Sequence, residues 1–339
     1  MTIYQPPFTI TPDILNRVAA ISETVGRLSV LTDQAKALRL RRINRIRTIH
    51  GSLAIEGNTL SEEQITAILD GRRVSAPPRE VQEVKNALAA YERFEHWKPE
   101  SEQDLLEAHR LLMAGLIDEA GMYRRGGVGV MAGQTVIHMA PPAHRVPSLM
   151  ADLLAWLAAT DVHPLIASSV FHYEFEFIHP FADGNGRMGR LWQSLVLACW
   201  NPLFTDIPVE SLIFEHQAQY YEALRESTRQ GDCASFILFM LRMLQAAVLS
   251  TTPQVTPQVT PQVGELLAVL HGEMSREKLQ AALGLADRKS FRERYLGPAL
   301  ADGLIEMSIP GKPTSRLQQY RLSEKGLRYL ELQDGNSGL

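Results

Sequence analysis

Cysteine is scarce in this sequence. Cys199 and Cys233 are the two present in 339 residues, too few for a disulfide framework and consistent with a reducing, cytoplasmic setting. Cys199 lies in an apolar run and reads as a buried thiol. No stretch holds eighteen consecutive apolar residues, so no membrane span is expected. Met1 to Pro12 carries neither the basic start nor the apolar run of a secretory leader. Charge excess is also missing: 34 basic against 38 acidic residues leave a net −4, so any nucleic-acid surface must be local. There is no Gly-x-x-x-x-Gly-Lys-Ser/Thr loop, no kinase signature set and no His-Glu-x-x-His. A P-loop nucleotidase, a protein kinase and a zinc hydrolase of that type are thereby disfavoured.

What is present is concentrated between Ile178 and Arg190: Ile-His-Pro-Phe-Ala-Asp-Gly-Asn-Gly-Arg-Met-Gly-Arg. Apolar helical runs flank it, Leu165–Phe177 before and Leu191–Trp200 after, so it reads as helix, tight loop, helix. Gly184 and Gly186 allow a sharp turn and a close ligand approach. Backbone N–H groups there, including that of Asn185, and those opening the next helix suit an anion. Arg187 and Arg190 share a helical face and can grip a polyphosphate bidentately. Asp183 can hold Mg²⁺, and His179 can take a proton from an attacking hydroxyl.

The stretch resembles the signature of the Fic family, His-x-Phe-x-Asp/Glu-Gly-Asn-Gly-Arg-x-x-Arg. His179, Phe181, Asp183, Gly184, Asn185, Gly186, Arg187 and Arg190 fill every defined position. The resemblance implies transfer of AMP from ATP to a protein hydroxyl, with Mg²⁺ and ATP as cofactors. It also implies an adenine site lined by aromatics, for which Tyr220 and Tyr221 are the candidates. Phe181 is expected to be buried and to anchor the loop.

A second motif lies upstream, Ser52-Leu53-Ala54-Ile55-Glu56-Gly57. Ser52 and Glu56 share one helical face, and Gly57 is a natural residue just past a helix end. Glutamate in a last turn opposes the helix dipole and so calls for a cationic partner elsewhere. The segment resembles the Fic inhibitory motif, Ser/Thr-x-x-x-Glu-Gly/Asn. That resemblance implies a pair between Glu56 and Arg190, in the space the ATP γ-phosphate needs.

The remaining sequence divides as follows. Residues 1–100 read as an N-terminal helical region with the inhibitory helix, and 101–250 as a catalytic core. The core contains a β-hairpin with its turn near Ala132-Gly133-Gln134, implied by the resemblance to be a flap that pins a target segment. His138 and His144 read as flap or surface residues. Thr-Pro-Gln-Val, repeated through Val263, reads as an extended linker over 251–263. Residues 264–339 hold three helical patterns and two strand-like runs, resembling a winged helix domain. Its basic residues Arg288, Lys289, Arg292 and Arg294, with Lys312 and Arg316 in the wing, suit DNA phosphates, although protein docking is an equal reading. The fold class is therefore mainly α. The function expected is a protein adenylyltransferase autoinhibited by Glu56. Alternatives are a nucleotide-sensing DNA-binding regulator, removal of AMP by a water that Glu56 activates, or transfer of another nucleotide such as UMP. A homodimer is left open.

Overall fold

The computed structural model describes residues 4–30, 34–132, 135–251, 260–285, 287–309 and 315–330 apart from 316, 324 and 328. Helix boundaries follow local caps. α1 (Pro12–Val30) opens on Thr11, whose hydroxyl accepts the Ile14 N–H, and it buries Ile14, Ile21 and Val25 along one face. α2 (Gln34–Ile55) closes through Gly57, which has φ 89°. The Gly57 N–H bonds to Ala54 O and the Asn58 N–H to Leu53 O, a Schellman closure that requires this positive φ. α3 (Glu62–Leu69) starts with a capping box between Ser61 and Gln64. α4 (Pro78–Arg93) begins at Pro78, since proline fits a first helical position whose N–H has no partner anyway. α5 (Glu102–Leu112) is capped by Ser101 and stops short of Leu116, before the turn at Gly115 with φ 70°.

An antiparallel hairpin follows, β1 (Gly129–Ala132) and β2 (Thr135–Met139), with Gly129 opposite Met139 and Ala132 opposite Thr135. Its turn residues Gly133 and Gln134 and the His138 side chain lie outside the description. α6 (Val146–Ala159) starts before the expected Leu149, with Pro147 in its first turn. α7 (Pro164–Ile178) and α8 (Asn185–Trp200) are buried along most of their length and pack closely on one another at Gly189. α8 begins at Asn185 rather than Leu191, so both signature arginines are helical. Cys199, at its far end, is exposed rather than buried, because it lies on the face turned from the core. α9 (Val209–Glu215), α10 (Gln217–Gln230) and α11 (Ala234–Thr251) complete this unit, α9 against α2 and α11 against α1, α7 and α10.

The chain divides into two compact units, Met1–Thr252 and Pro253–Leu339. In the second, α12 (Pro261–Val269) starts inside the third Thr-Pro-Gln-Val repeat, so the linker expected through Val263 ends earlier. The reason is local: Thr260 caps the Val263 N–H and Pro261 takes the first helical position. Residues 252–259 of the repeat lie outside the description. β3 (Met274–Ser275), a strand not expected from the sequence, precedes α13 (Arg276–Ala282). The third helical segment is divided into α14 (Arg288–Phe291), a π-helical turn at Arg292–Leu296 and α15 (Gly297–Ala301). Pro298 cannot donate to the carbonyl one turn back, so regular α-bonding cannot run through. β4 (Ile305–Met307) and β5 (Gln319–Leu322) join β3 in an antiparallel sheet of order β3-β5-β4. Leu266, Leu279, Phe291, Leu296 and Tyr320 fill the core between helices and sheet. Lys312 and Arg316 lie outside the described residues. Among those described, no helix is long and apolar enough to cross a membrane.

Candidate active site

α7 delivers its last residues to a backbone position that few side chains adopt. His179 caps the helix at φ 51° and ψ 62°, the one non-glycine residue with positive φ among those described, and its N–H bonds to Phe175 O. Such a conformation persists only where the surroundings over-determine it. They do so here. Phe181 is fully buried, and His109 stacks on it with ring centroids 3.6 Å apart and 6° between planes. The His109 Nδ1 accepts the Gly121 N–H at 2.9 Å, which leaves Nε2–H to donate to Asp183 O at 3.0 Å. Burial lowers the His109 pKa to about 4, which keeps it in that neutral form. Asn185 ties the loop from the other side, accepting the Phe181 N–H and donating to Phe181 O, each at 2.9 Å. The Asn185 side chain is thus engaged with the loop itself.

Arg124 completes the frame, and sequence reasoning gave it no role. It is buried, and its guanidinium donates to the carbonyls of Gly126, Pro141, Ile178 and His179 at 2.6–3.2 Å. Its own N–H bonds to Pro180 O. One side chain therefore joins the catalytic loop to both flanks of the β1–β2 hairpin. The position of Arg124 just after Gly121-Met122-Tyr123 was visible, but a buried arginine with carbonyl partners has no sequence signal.

The loop hands over to α8 through Gly184, an N-cap at φ 85° that offers no side-chain acceptor. The first N–H groups of α8 are left for an anion, at the positive end of the helix. An anion is already there. The Glu56 carboxylate lies over Gly186, where an added Cβ would run into its Oε1. The same oxygen accepts from Arg190 Nη2 at 2.7 Å. Arg190 is 2% exposed and also donates to Ser52 O at 3.0 Å and Ser52 Oγ at 3.2 Å. Burial disfavours its charge, yet Glu56 holds the Arg190 pKa above its ordinary value. Arg190 thus meets Glu56, the partner implied by the resemblance, and also Ser52, a contact that the sequence did not indicate. Arg187, also buried, meets Asp183 Oδ1 at 3.0 Å.

Around this centre sit buried acids and an imidazole that the sequence did not single out. Glu176 lies 3.8 Å from His179 Nδ1 and 3.9 Å from His172 Nε2. Burial pushes its carboxyl up to about 8, against the pull of Arg190 and helped by Glu56. His172 bonds to Gln193 Oε1 through Nδ1 and to the Tyr220 hydroxyl through Nε2, and burial lowers its pKa to about 3. Adjacent helical positions face different ways, and Tyr220 is the one turned inward: it is 2% exposed, packed among Phe236 and Phe239, and its hydroxyl is engaged. Tyr221 is half-buried, and burial together with the field of Glu56 raises its pKa. Of the two tyrosines, Tyr221 alone keeps a surface for a ligand. His144 is exposed and stands outside this cluster.

Mg²⁺ commonly takes one or two carboxylates together with phosphate oxygens and water. Asp183 fits that pattern, with its side chain 41% exposed on the loop. Among the described residues no three His, Cys, Asp or Glu side chains cluster as a metal site. The donor set suits a cation carried in by a polyphosphate.

A family profile described as Fic/DOC family matches residues 99–197. A second, described as filamentation induced by cAMP protein Fic-like, C-terminal domain, matches 261–323. The chain is 29% identical over 212 residues to protein adenylyltransferase Fic of Nematostella vectensis, covering 59% of this chain and 47% of that protein. With protein adenylyltransferase fic-1 of Caenorhabditis briggsae it shares 30% identity over 214 residues, 59% of this chain and 40% of that one. It therefore spans less than half the length of these curated relatives. Among solved structures, a fragment of Fic-1 from C. elegans is 25% identical with a TM-score of 0.59, covering 70% of this chain and 71% of that one. A Fic family protein from Desulfovibrio desulfuricans G20 is 55% identical with a TM-score of 0.72, covering 95% of this chain and 99% of that one. On that full-length agreement, and on the signature loop, helical core and short hairpin described above, the chain belongs to the Fic family.

Proposed function

We propose that this protein is an adenylyltransferase that moves AMP from ATP to a Ser, Thr or Tyr hydroxyl of a protein, itself included, and that Glu56 restrains it. One observation carries the reading: the Glu56 carboxylate sits at the N-terminus of α8 and pairs with Arg190 at 2.7 Å. A cradle that accepts a carboxylate in this way is suited to phosphate oxygens.

In the reaction the target hydroxyl oxygen bonds to the α-phosphorus while the bond from that phosphorus to the bridging β-oxygen breaks. Pyrophosphate leaves with the electron pair, and the hydroxyl proton passes to His179. The backbone N–H groups at Gly184, Asn185 and Gly186 cradle the α- and β-phosphates. Arg187 and Arg190 grip the β- and γ-phosphates. Mg²⁺, which Asp183 would hold, supplies neutralisation of phosphate charge. Tyr221 offers a face for adenine, and β1–β2 can seat an extended target segment by main-chain pairing. With Glu56 seated, Arg190 is taken and negative charge stands where the γ-phosphate belongs. ATP then binds with its triphosphate turned from in-line attack, and a misplacement of about 1 Å costs about 100-fold in rate.

Transfer of label from ATP to the protein itself tests both parts. His179→Ala should abolish transfer and leave ATP binding nearly intact, since removing a positioned base costs about 10²–10⁴ in rate. Glu56→Gly should raise self-labelling at least about tenfold with a smaller change in ATP affinity, and Arg190→Ala should cancel most of that gain. Full activity in His179→Ala, or equal rates for wild type and Glu56→Gly with ATP bound in both, would overturn the reading.

A second reading concerns the unit Pro253–Leu339 alone. Arg276, Arg288, Lys289 and Arg292 line one cleft, with Glu277 as its single acid. We infer that this unit is a winged helix whose cleft meets the phosphates of duplex DNA.

A further inference from the structure

Four side chains close a ring of alternating charge beside the signature loop. Arg187 Nη2 lies 3.0 Å from Asp183 Oδ1, and Asp183 Oδ2 lies 3.3 Å from Arg79 Nη2. Arg79 Nε lies 3.5 Å from Glu83 Oε1, and the same oxygen lies 3.5 Å from Arg187 Nη1. Arg79 and Glu83 belong to α4, and neither carries a role in the chemistry above. The ring is not a surface ornament at its inner side: Arg187 is 5% and Glu83 13% exposed. Arg187 Nε is buried with no hydrogen-bond partner, so the ring leaves this guanidinium incompletely satisfied.

The ring is also tied to the turn that bears Glu56. Asn58 follows Gly57 and is 8% exposed. Its Nδ2 donates to Glu83 Oε2 at 2.9 Å and to Glu80 O at 3.2 Å. Thr59 adds two bonds to the Glu80 carboxylate, from its N–H at 2.7 Å and its hydroxyl at 2.8 Å. The Glu83 carboxylate thus has one oxygen on Arg187 and the other on the Glu56 turn.

We propose that Glu83 is a positioning residue that couples the two signature arginines, holding Arg187 directly and the Glu56–Arg190 pair through Asn58. This rests on the reading of Glu56 as the restraint. A triphosphate that engages Arg187 offers it stronger acceptors than the 3.5 Å contact to Glu83. Asp183, on taking a cation, gives up both arginines as well. Glu83 is then left with Arg79, which is 58% exposed, so its carboxylate is no longer fixed by Arg187 at the place from which it reaches Asn58. Occupation of Arg187 thereby loosens Glu56 without touching it. The coupling is reciprocal: seating Glu56 favours the ring and keeps Arg187 turned from the nucleotide.

The test measures self-labelling from ATP and KM for ATP in the full chain. Asn58→Ala cuts the link while sparing Arg187. Glu83→Gln removes the charge that holds Arg187. Each should raise self-labelling about three- to tenfold, the range expected when one member of a coupled network is lost. Together they should equal the larger single effect, because both act on one link. In a Glu56→Gly background neither should add more than about twofold. Gains that multiply in the double variant, or that persist on top of Glu56→Gly, would overturn the coupling, as would wild-type rates in both singles. Should Glu83→Gln fold poorly, Asn58→Ala with and without Glu56→Gly decides alone. If Glu56→Gly itself raises nothing, the restraint reading fails. If it does and Asn58→Ala does not, this inference alone fails.

Discussion

Gly51 rests directly on the backbone of Glu210. A Cβ added to Gly51 would fall 2.6 Å from the Glu210 carbonyl carbon and 2.6 Å from the Ser211 nitrogen, neither of which can move aside without moving α9. The next residue in α2 is Ser52, and one turn on is Glu56. The close approach of α2 to α9 therefore sets where Ser52 and Glu56 reach Arg190. Gly51→Ala is expected to push α2 outward, cost about 1–3 kcal/mol of stability as overpacking does, and raise self-labelling. Thermal melting and label transfer read the two effects. A variant that melts lower and labels no faster would sever helix position from restraint.

Arg124 offers a different prediction. Lysine keeps the charge but cannot span four carbonyls with one ammonium. Arg124→Lys should lower kcat for transfer and raise KM for a peptide target, while KM for ATP changes little. That split separates a frame for His179 and the hairpin from a role in nucleotide binding. Equal loss in all three parameters would instead indicate general unfolding, which circular dichroism checks.

Stability should fall as pH rises above neutrality. Burial pushes Glu176 up to about 8, and it pushes Glu210 up to about 7. Both acids bind their proton more tightly folded than unfolded, so their contribution is complete below the ordinary carboxyl value of about 4.3 and is lost through about 7 to 8. His109 and His172, held low by burial, act in the opposite sense only below about 6.5. Between pH 6.5 and 8.5 the acids should therefore dominate. The melting temperature of the wild type should drop over that interval, and Glu176→Gln should flatten the drop. An unchanged slope in Glu176→Gln would remove Glu176 as its source.

For the second unit, Lys289→Glu with Arg292→Glu should abolish retardation of duplex DNA by the full chain. Transfer of AMP to the chain itself should be unchanged. Before mutation, affinity should weaken steeply with salt, as counterion release demands. Binding that survives both substitutions would move the DNA surface elsewhere.

How much of this was legible beforehand depended on how local the cause was. Gly57 announced a helix end, because a cap needs only its near neighbours. The signature marked the loop, and within it Asp183 pairs with Arg187. Less local causes were missed. Pro261 read as part of an extended linker but stands in the first turn of a helix, where proline costs nothing. Cys199 is exposed where a buried thiol was expected, since helical spacing does not say which face a neighbouring helix will cover.

The sequence by itself determined the helical class, a loop suited to an anion and the need of a misplaced glutamate for a cationic partner, while the resemblance to the Fic family named Arg190 as that partner. The first three follow from period, turn chemistry and the helix dipole, each acting over a few residues. Only the tertiary structure decided what holds them. The stacking of His109 on Phe181, the four carbonyls around Arg124, the contact of Gly51 with Glu210 and the ring through Arg79 and Glu83 all join residues distant in the chain. Such contacts arise where packed helices exclude water and leave buried polar groups no other partner, and a single sequence carries no local mark of which groups those will be.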